Sequence, residues 1–176
     1  TYQREQQVTA WHRHIFGGVF GAGKAVCESV AVIPTDDTEY EVYVIVKRTI
    51  NGATRRFVEY INNFDFTETD NTTFNFLDSA LAYSGSAVTT ISGLDHLEGQ
   101  TVSVLANGAT HPDKTVSNGS ITLDRSSTNV KVGLSYSSIL QTMRLDAGSQ
   151  NGTSQGKTKR IYEITIRLFE SVGVEV

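Results

Sequence analysis

Apolar residues recur at every second position through much of the chain. From Tyr40 to Ile50, Val42, Val44 and Val46 share one face, and from Thr54 to Ile61, Phe57 and Ile61 share one. Period two is the period of a strand. Asn51-Gly52 lies between the two runs, and both residues tolerate the positive φ that a two-residue type I′ turn requires. Such a loop sets Val46 opposite Phe57 and Val42 opposite Ile61. On the other face it sets Ile45 opposite Val58 and Tyr43 opposite Tyr60. Both faces then carry apolar pairs, so this hairpin is expected to be covered on both sides.

The pattern returns near the end. From Thr158 to Phe169 one face reads Arg160, Tyr162, Ile164, Ile166, Leu168, and the other Lys159, Ile161, Glu163, Thr165, Arg167, Phe169. That alternation predicts a strand with a drier and a wetter face. Further strands are expected at about 5–11, 26–33, 86–91, 101–106, 120–124 and 129–133. Asn107-Gly108, Asn118-Gly119 and Asn151-Gly152 supply further turns. Ser92 to Gly99 has room for one helical turn, with Ser92 as N-cap and Gly99 beyond the end. The strands read as long before about Asp70, short from about 85 to 135, and long again after about 157. Asp146 to Thr158 reads as a polar loop. The expected fold is all-β: an antiparallel core sheet from residues 1–80 and 136–176, a small β-barrel or sandwich inserted at 81–135, and almost no helix.

Composition supports this class. Val, Ile and Thr far outnumber Ala and Leu, and branching at Cβ suits a pleated strand. The 176 residues fit one domain with a small insertion. Fifteen Lys and Arg against 19 Asp and Glu give a net charge of −4, which is not a field built to grip nucleic acid. No apolar run approaches ~20 residues, so no membrane-spanning helix is expected. A single cysteine, Cys27, excludes an internal disulfide framework and a Cys-rich zinc site.

The candidate chemistry is sparse. Gly18 to Lys24 fits the first seven positions of a phosphate-binding loop. The eighth is Ala25, where a magnesium-holding hydroxyl belongs, and a Val-rich strand follows where a helix should. A glycine-rich turn is the better reading. His12 and His14 share a strand face, but a catalytic zinc usually needs a third ligand, and His96 and His111 stand apart. Cys27 has no neighbouring His and reads as an inert thiol. Asn71, Asn118 and Asn151 open glycosylation sequons by loop composition alone. No catalytic set, metal set or cofactor is expected.

One charge pattern stands out. The Asn51-Gly52 turn sets Arg48 opposite Arg55 and Lys47 opposite Arg56, and opposed like charges cost stability. The other end of the same strand carries Asp36, Asp37, Glu39 and Glu41. A sheet with one basic and one acidic end suits heterologous, ring-closing contacts between identical subunits, with Trp11 as a core or interface anchor. The alternative is a solvated tip with its charges splayed into water.

Several stretches also resemble the C-terminal portion of tail tube or nozzle proteins of podovirus-like tailed bacteriophages. They are Trp11-His-Arg-His14 with Gly17-Gly18, Val30 to Pro34, Val46 to Gly52, Arg56 to Glu59, Val132 to Tyr136, Gly152 to Lys157 and Arg167 to Ser171. Gly93 to Gly99 and Thr101 to Leu105 are similar to the small barrel of the first catalytic cysteine half-domain of ubiquitin-activating enzymes, without implying ubiquitin chemistry. The resemblance implies a non-enzymatic virion component, made in the bacterial cytoplasm and forming part of a homo-oligomeric ring. Its partners would be other tail proteins, with DNA passing non-specifically. The alternative function is a carbohydrate-binding β module that recognises a bacterial surface glycan through Trp11 and the tyrosines.

Overall fold

The computed structural model describes residues 2–3, 8–9, 13–34, 40–62, 70–139, 141, 158, 160 and 162–166. The chain divides into two units, Thr1–Ser137 and Ser138–Val176. Among the described residues of the first unit, every strand pairing is antiparallel. β1 (Tyr2–Gln3) pairs with β2 (Val8–Thr9), and β3 (Val19–Phe20) with β4 (Gly23–Lys24). A three-stranded sheet follows in chain order: β5 (Val26–Pro34), β6 (Tyr40–Ile50) and β7 (Ala53–Ile61). A four-stranded sheet contains β8 (Asp78–Ser92), β9 (Thr101–Ala106), β10 (Ala109–Thr115) and β11 (Ser120–Leu134), in the order β10-β9-β11-β8.

The β6–β7 hairpin has the register that its turn dictates. Val46 lies opposite Phe57, Tyr43 opposite Tyr60, Lys47 opposite Arg56 and Arg48 opposite Arg55. Asn51 and Gly52 take φ of +47° and +73°, the left-handed pair of a type I′ turn. The glycine-rich segment forms the tight β3–β4 hairpin, with Gly21 at φ +59°.

The four-stranded sheet holds the main apolar core. Alternate residues of β9 (Val102, Val104, Ala106) meet Ile121, Leu123, Val130, Val132 and Leu134 of β11, with Ile91 of β8. Leu94 and Leu97 come from the loop between β8 and β9 and are fully buried. Each such side chain contributes about 1.5–3 kcal/mol of burial. The strands here are longer than the turn density predicts. The expected strands 120–124 and 129–133 are two parts of β11, and 86–91 is the C-terminal part of β8. Register shifts between Thr122 and Ser127 let the two long strands bend without ending.

β10 escapes the alternation rule because it carries His111, Pro112, Asp113 and Lys114. It is an edge strand with a register shift between His111 and Lys114, a position that tolerates proline. The buried His111 ring is satisfied on both sides. Its Nε2 accepts the Asp124 N–H at 2.9 Å, so Nδ1 carries the proton and donates to the Pro112 carbonyl at 2.8 Å.

The expected helical turn is a 3-10 turn at Asp95–Leu97, and Ser92 does not cap it. Backbone contacts hold this corner instead. The Leu94 N–H donates to the Gly119 carbonyl at 2.8 Å, and the Glu98 carboxylate accepts the Asn118 and Gly119 N–H groups. Gly99 takes φ +73° just beyond the turn, as expected. The terminal strand expected at 158–169 is not formed over its described residues. Tyr162 to Ile166 belong to no strand, and Tyr162, Ile164 and Ile166 are exposed. The rest of that segment, and most of the strand expected at 5–11, lie outside the described residues.

Arg48 joins the two sheets. It points to the covered face of β6 and is fully buried. Its Nη1 and Nη2 reach the Glu59 carboxylate at 2.5 and 3.0 Å, and its Nε donates to the Gly17 carbonyl at 2.8 Å. The guanidinium lies 5.8 Å from the centre of the Phe57 ring. The Gly17 N–H donates in turn to Asp78 at the start of β8, at 2.6 Å, and His14 Nε2 meets the same carboxylate at 3.0 Å. The glycines are required by close approach. A Cβ on Gly17 would lie 2.9 Å from the Ser135 carbonyl oxygen, and Gly18, at φ +89°, passes against the Arg48 stem. Replacing Arg48 by Ala strands Glu59 and the Gly17 carbonyl, and the expected loss is about 3–5 kcal/mol of unfolding free energy in urea. Arg48→Lys recovers little of it, because an ammonium cannot make the forked contact. A loss below about 1 kcal/mol for Arg48→Ala would rule out this role.

Candidate assembly surface

The three-stranded sheet is covered over only half its length. Near the Asn51-Gly52 tip, Val44, Val46, Arg48 and Ile50 are buried on one face. Away from the tip both faces open. On the face continuous with Val44, Val30 is 62% exposed, and Val32 and Ile61 are also exposed. On the opposite face Val58 is 73% exposed, with Tyr60, Ile33 and Ile45 beside it. Tyr43 and Tyr60 form a tilted ring pair there at 6.2 Å. The Tyr43 hydroxyl donates to Glu41 at 2.8 Å, and this bond to a carboxylate raises its pKa. The expectation that the hairpin is covered on both sides is therefore corrected: near the tip one face is buried and the other only partly covered, and away from the tip both faces are open. The apolar pairing was legible, but whether this chain itself supplies the cover was not.

The sheet edges differ. β5 pairs with β6 alone among the described strands, and every residue along it is exposed. Glu28 at a register shift and Pro34 at the end protect the ends of that edge. Between them, Ser29-Val-Ala-Val-Ile33 carries no charge. The opposite edge, β7, carries Arg55, Arg56 and Glu59.

The structure separates the four basic residues at the tip. Lys47 and Arg56 face each other, and Glu28 lies between them, 2.6 Å from Lys47 Nζ and 2.6 Å from Arg56 Nε. Lys47 Nζ also sits 4.4 Å from the centre of the Phe20 ring, and the Gly21 N–H donates to Thr49 Oγ1 at 3.2 Å. The β3–β4 hairpin therefore braces one face of β6 while Gly17 braces the other. Arg48 turns away from Arg55 to Glu59. Arg55 has no ion-pair partner among the described residues. It borders an open cleft of about 430 Å³ with Ile50, Asn51, Phe57, Asp95, His96 and Glu98. Trp11, Asp36, Asp37 and Glu39 lie outside the described residues.

The residues that compensate the tip, Glu28 and Glu59, were missed in the sequence. Glu59 lies four residues beyond Arg55, the register partner of Arg48, so its pairing depends on the long Arg48 side chain lying along the sheet. Glu28 depends on the bulge in β5. Among the described residues no group of three or more His, Cys, Asp and Glu is placed to hold a metal ion, and no helix is long and apolar enough to cross a membrane. Of the sequon asparagines, Asn71 uses its amide to donate to the Gly108 carbonyl at 3.1 Å.

The bonds from Arg56 first, then Lys47, hold the Glu28 carboxyl at about 2, below its ordinary 4.5. A depressed carboxyl contributes stability that is complete above its unfolded value and lost as pH falls through its folded value. Wild type is therefore expected to exceed Glu28→Gln in stability by a constant margin above pH about 4.5, a margin that shrinks towards zero by pH about 2. Denaturant titrations across that range check it, and a margin independent of pH would count against the shared ion pair.

Comparison of the sequence with protein-family models and with curated proteins gives no match.

Proposed function

We propose that this chain is a structural protein that works by assembly, as a tail tube or nozzle subunit of a tailed-bacteriophage virion. It contacts further copies of itself and neighbouring tail proteins around the channel, and DNA passes without sequence-specific grip. No catalytic step or cofactor belongs to this reading. The observation that carries it is the distal half of the three-stranded sheet, which presents Val30, Val32 and Ile61 on one face and Ile33, Val58 and Tyr60 on the other. A contiguous apolar surface of this kind marks an interaction site. The internal pairing of Lys47, Arg48 and Arg56 supports the same reading, since it leaves the apolar surface rather than a cationic patch as the dominant exposed feature. The net charge of −4 suits passage of DNA, which a basic lumen would retain.

The mass of the full chain measured by light scattering is expected to rise with concentration, with symmetric particles visible in electron micrographs. Placing Val30→Asp and Val58→Asp together weakens association by at least roughly tenfold, with the circular dichroism spectrum unchanged. A chain that stays monomeric at high concentration, or that binds a bacterial glycan as a monomer, would overturn the reading.

A further inference from the structure

Three Asn-Gly pairs lie within the described residues, and all three form the same kind of tight turn. Asn51, Asn107 and Asn118 take φ of +47°, +52° and +52°, and the glycine after each is left-handed too. Asparagine before glycine carries an intrinsic chemistry. The glycine main-chain nitrogen attacks the asparagine side-chain carbonyl carbon and a C–N bond forms. The side-chain nitrogen leaves as ammonia, taking the proton that the attacking nitrogen gives up. Water then opens the resulting succinimide ring, on one side to aspartate and on the other to isoaspartate. The turn conformation is common to the three pairs, so it favours none of them. Their surroundings differ.

We propose that Asn51 is a site of spontaneous self-modification in the folded chain, while Asn107 and Asn118 are held intact. Gly108 and Gly119, which carry two of the attacking nitrogens, are buried, whereas Asn51 and Gly52 are both exposed. Asn107 Oδ1 accepts the Thr128 and Asn129 N–H groups at 3.0 Å each and the Thr128 hydroxyl at 3.1 Å, so its side chain is tied to β11. The Asn71 side chain crowds Gly108. The Gly119 N–H donates to Glu98 at 2.8 Å, the Asn118 N–H donates to the same carboxylate at 3.1 Å, and Asp95 crowds Gly119. Reaction at either pair needs these contacts to open first, and local opening costs free energy. At the hairpin tip nothing lies within 4 Å of the place a Gly52 Cβ would take. Among the described residues no hydrogen bond holds the Asn51 side chain or the Gly52 N–H. The two products differ in effect. Aspartate keeps the turn, because Asp-Gly suits it as Asn-Gly does, and sets a carboxylate in the cleft that Arg55 also lines. Isoaspartate adds a methylene to the main chain and breaks the two-residue turn that fixes the β6–β7 register.

The test ages the full chain in warm, mildly alkaline buffer and follows each asparagine by peptide mass spectrometry, with fragmentation that separates aspartate from isoaspartate. In the folded protein Asn51 is expected to convert at least roughly tenfold faster than Asn107 and Asn118. In urea the three rates are expected to converge, because the protecting contacts are gone. Glu98→Ala, checked for folding by circular dichroism, is expected to speed conversion of Asn118 and leave Asn51 unchanged. Folded-state conversion of Asn107 or Asn118 at or above the Asn51 rate would overturn the proposal. So would an Asn51 that stays intact in the folded chain over the time in which the urea-unfolded chain is converted, or a rate order that persists unchanged in urea. A folded Glu98→Ala chain in which Asn118 reacts no faster would also overturn it. Each of these outcomes leaves the assembly reading standing, since the chemistry needs one chain only.

Discussion

A guanidinium sealed from water must find its acceptors inside the protein, and Arg48 finds three. Two are the oxygens of Glu59 on the next strand, and the third is the carbonyl of Gly17, in a segment that belongs to neither sheet. Taking the pair out of water is expensive, and apolar residues of similar volume often serve stability as well. What an apolar pair cannot do is specify which backbone carbonyl must arrive. The Nε–H of Arg48 demands the Gly17 carbonyl, the Gly17 N–H demands Asp78, and Asp78 begins the second sheet. One buried cation thus links the two sheets, and the close approach leaves no room for a side chain at Gly18 against Arg48 or at Gly17 against Leu134 and Ser135.

The charges along the β6–β7 hairpin follow one logic. Opposed cations would destabilise the hairpin if left alone, and three of the four are met by a carboxylate from elsewhere in the sheet, Glu59 for Arg48 and Glu28 for Lys47 and Arg56, while Arg48 turns away from the fourth, Arg55. The Lys47–Arg56–Glu28 group is solvent-facing, so its net worth is modest and falls with salt. Arg48 is screened by protein, and its pairing is correspondingly more consequential.

Burial and exposure are divided along the length of the same three strands. The tip half is fastened by Arg48, by the β3–β4 hairpin and by Gly17. The distal half exposes valine, isoleucine and tyrosine on both faces. A sheet that wet and that apolar is a poor end state in water. The charged β7 edge and the bulge and proline at the ends of β5 confine pairing to the uncharged middle of the β5 edge.

The strand class, the β6–β7 register and the left-handed turn at Asn51-Gly52 were fixed by local rules, since period-two alternation and φ preference act within a few residues. The edge strand β10 was not legible, because Pro112 and a register shift hide its alternation. Nor was the joining of 120–124 to 129–133, because a bulge imitates a strand end. The terminal segment shows the limit most plainly: Tyr162, Ile164 and Ile166 alternate as a strand should, yet a strand needs a neighbour that alternation alone does not supply. The destinations of the charges belonged to the tertiary structure alone. Arg48 lies opposite Arg55 by register, but the buried Glu59 and Gly17 contacts decide its direction, and only three-dimensional packing brings Gly17 within reach.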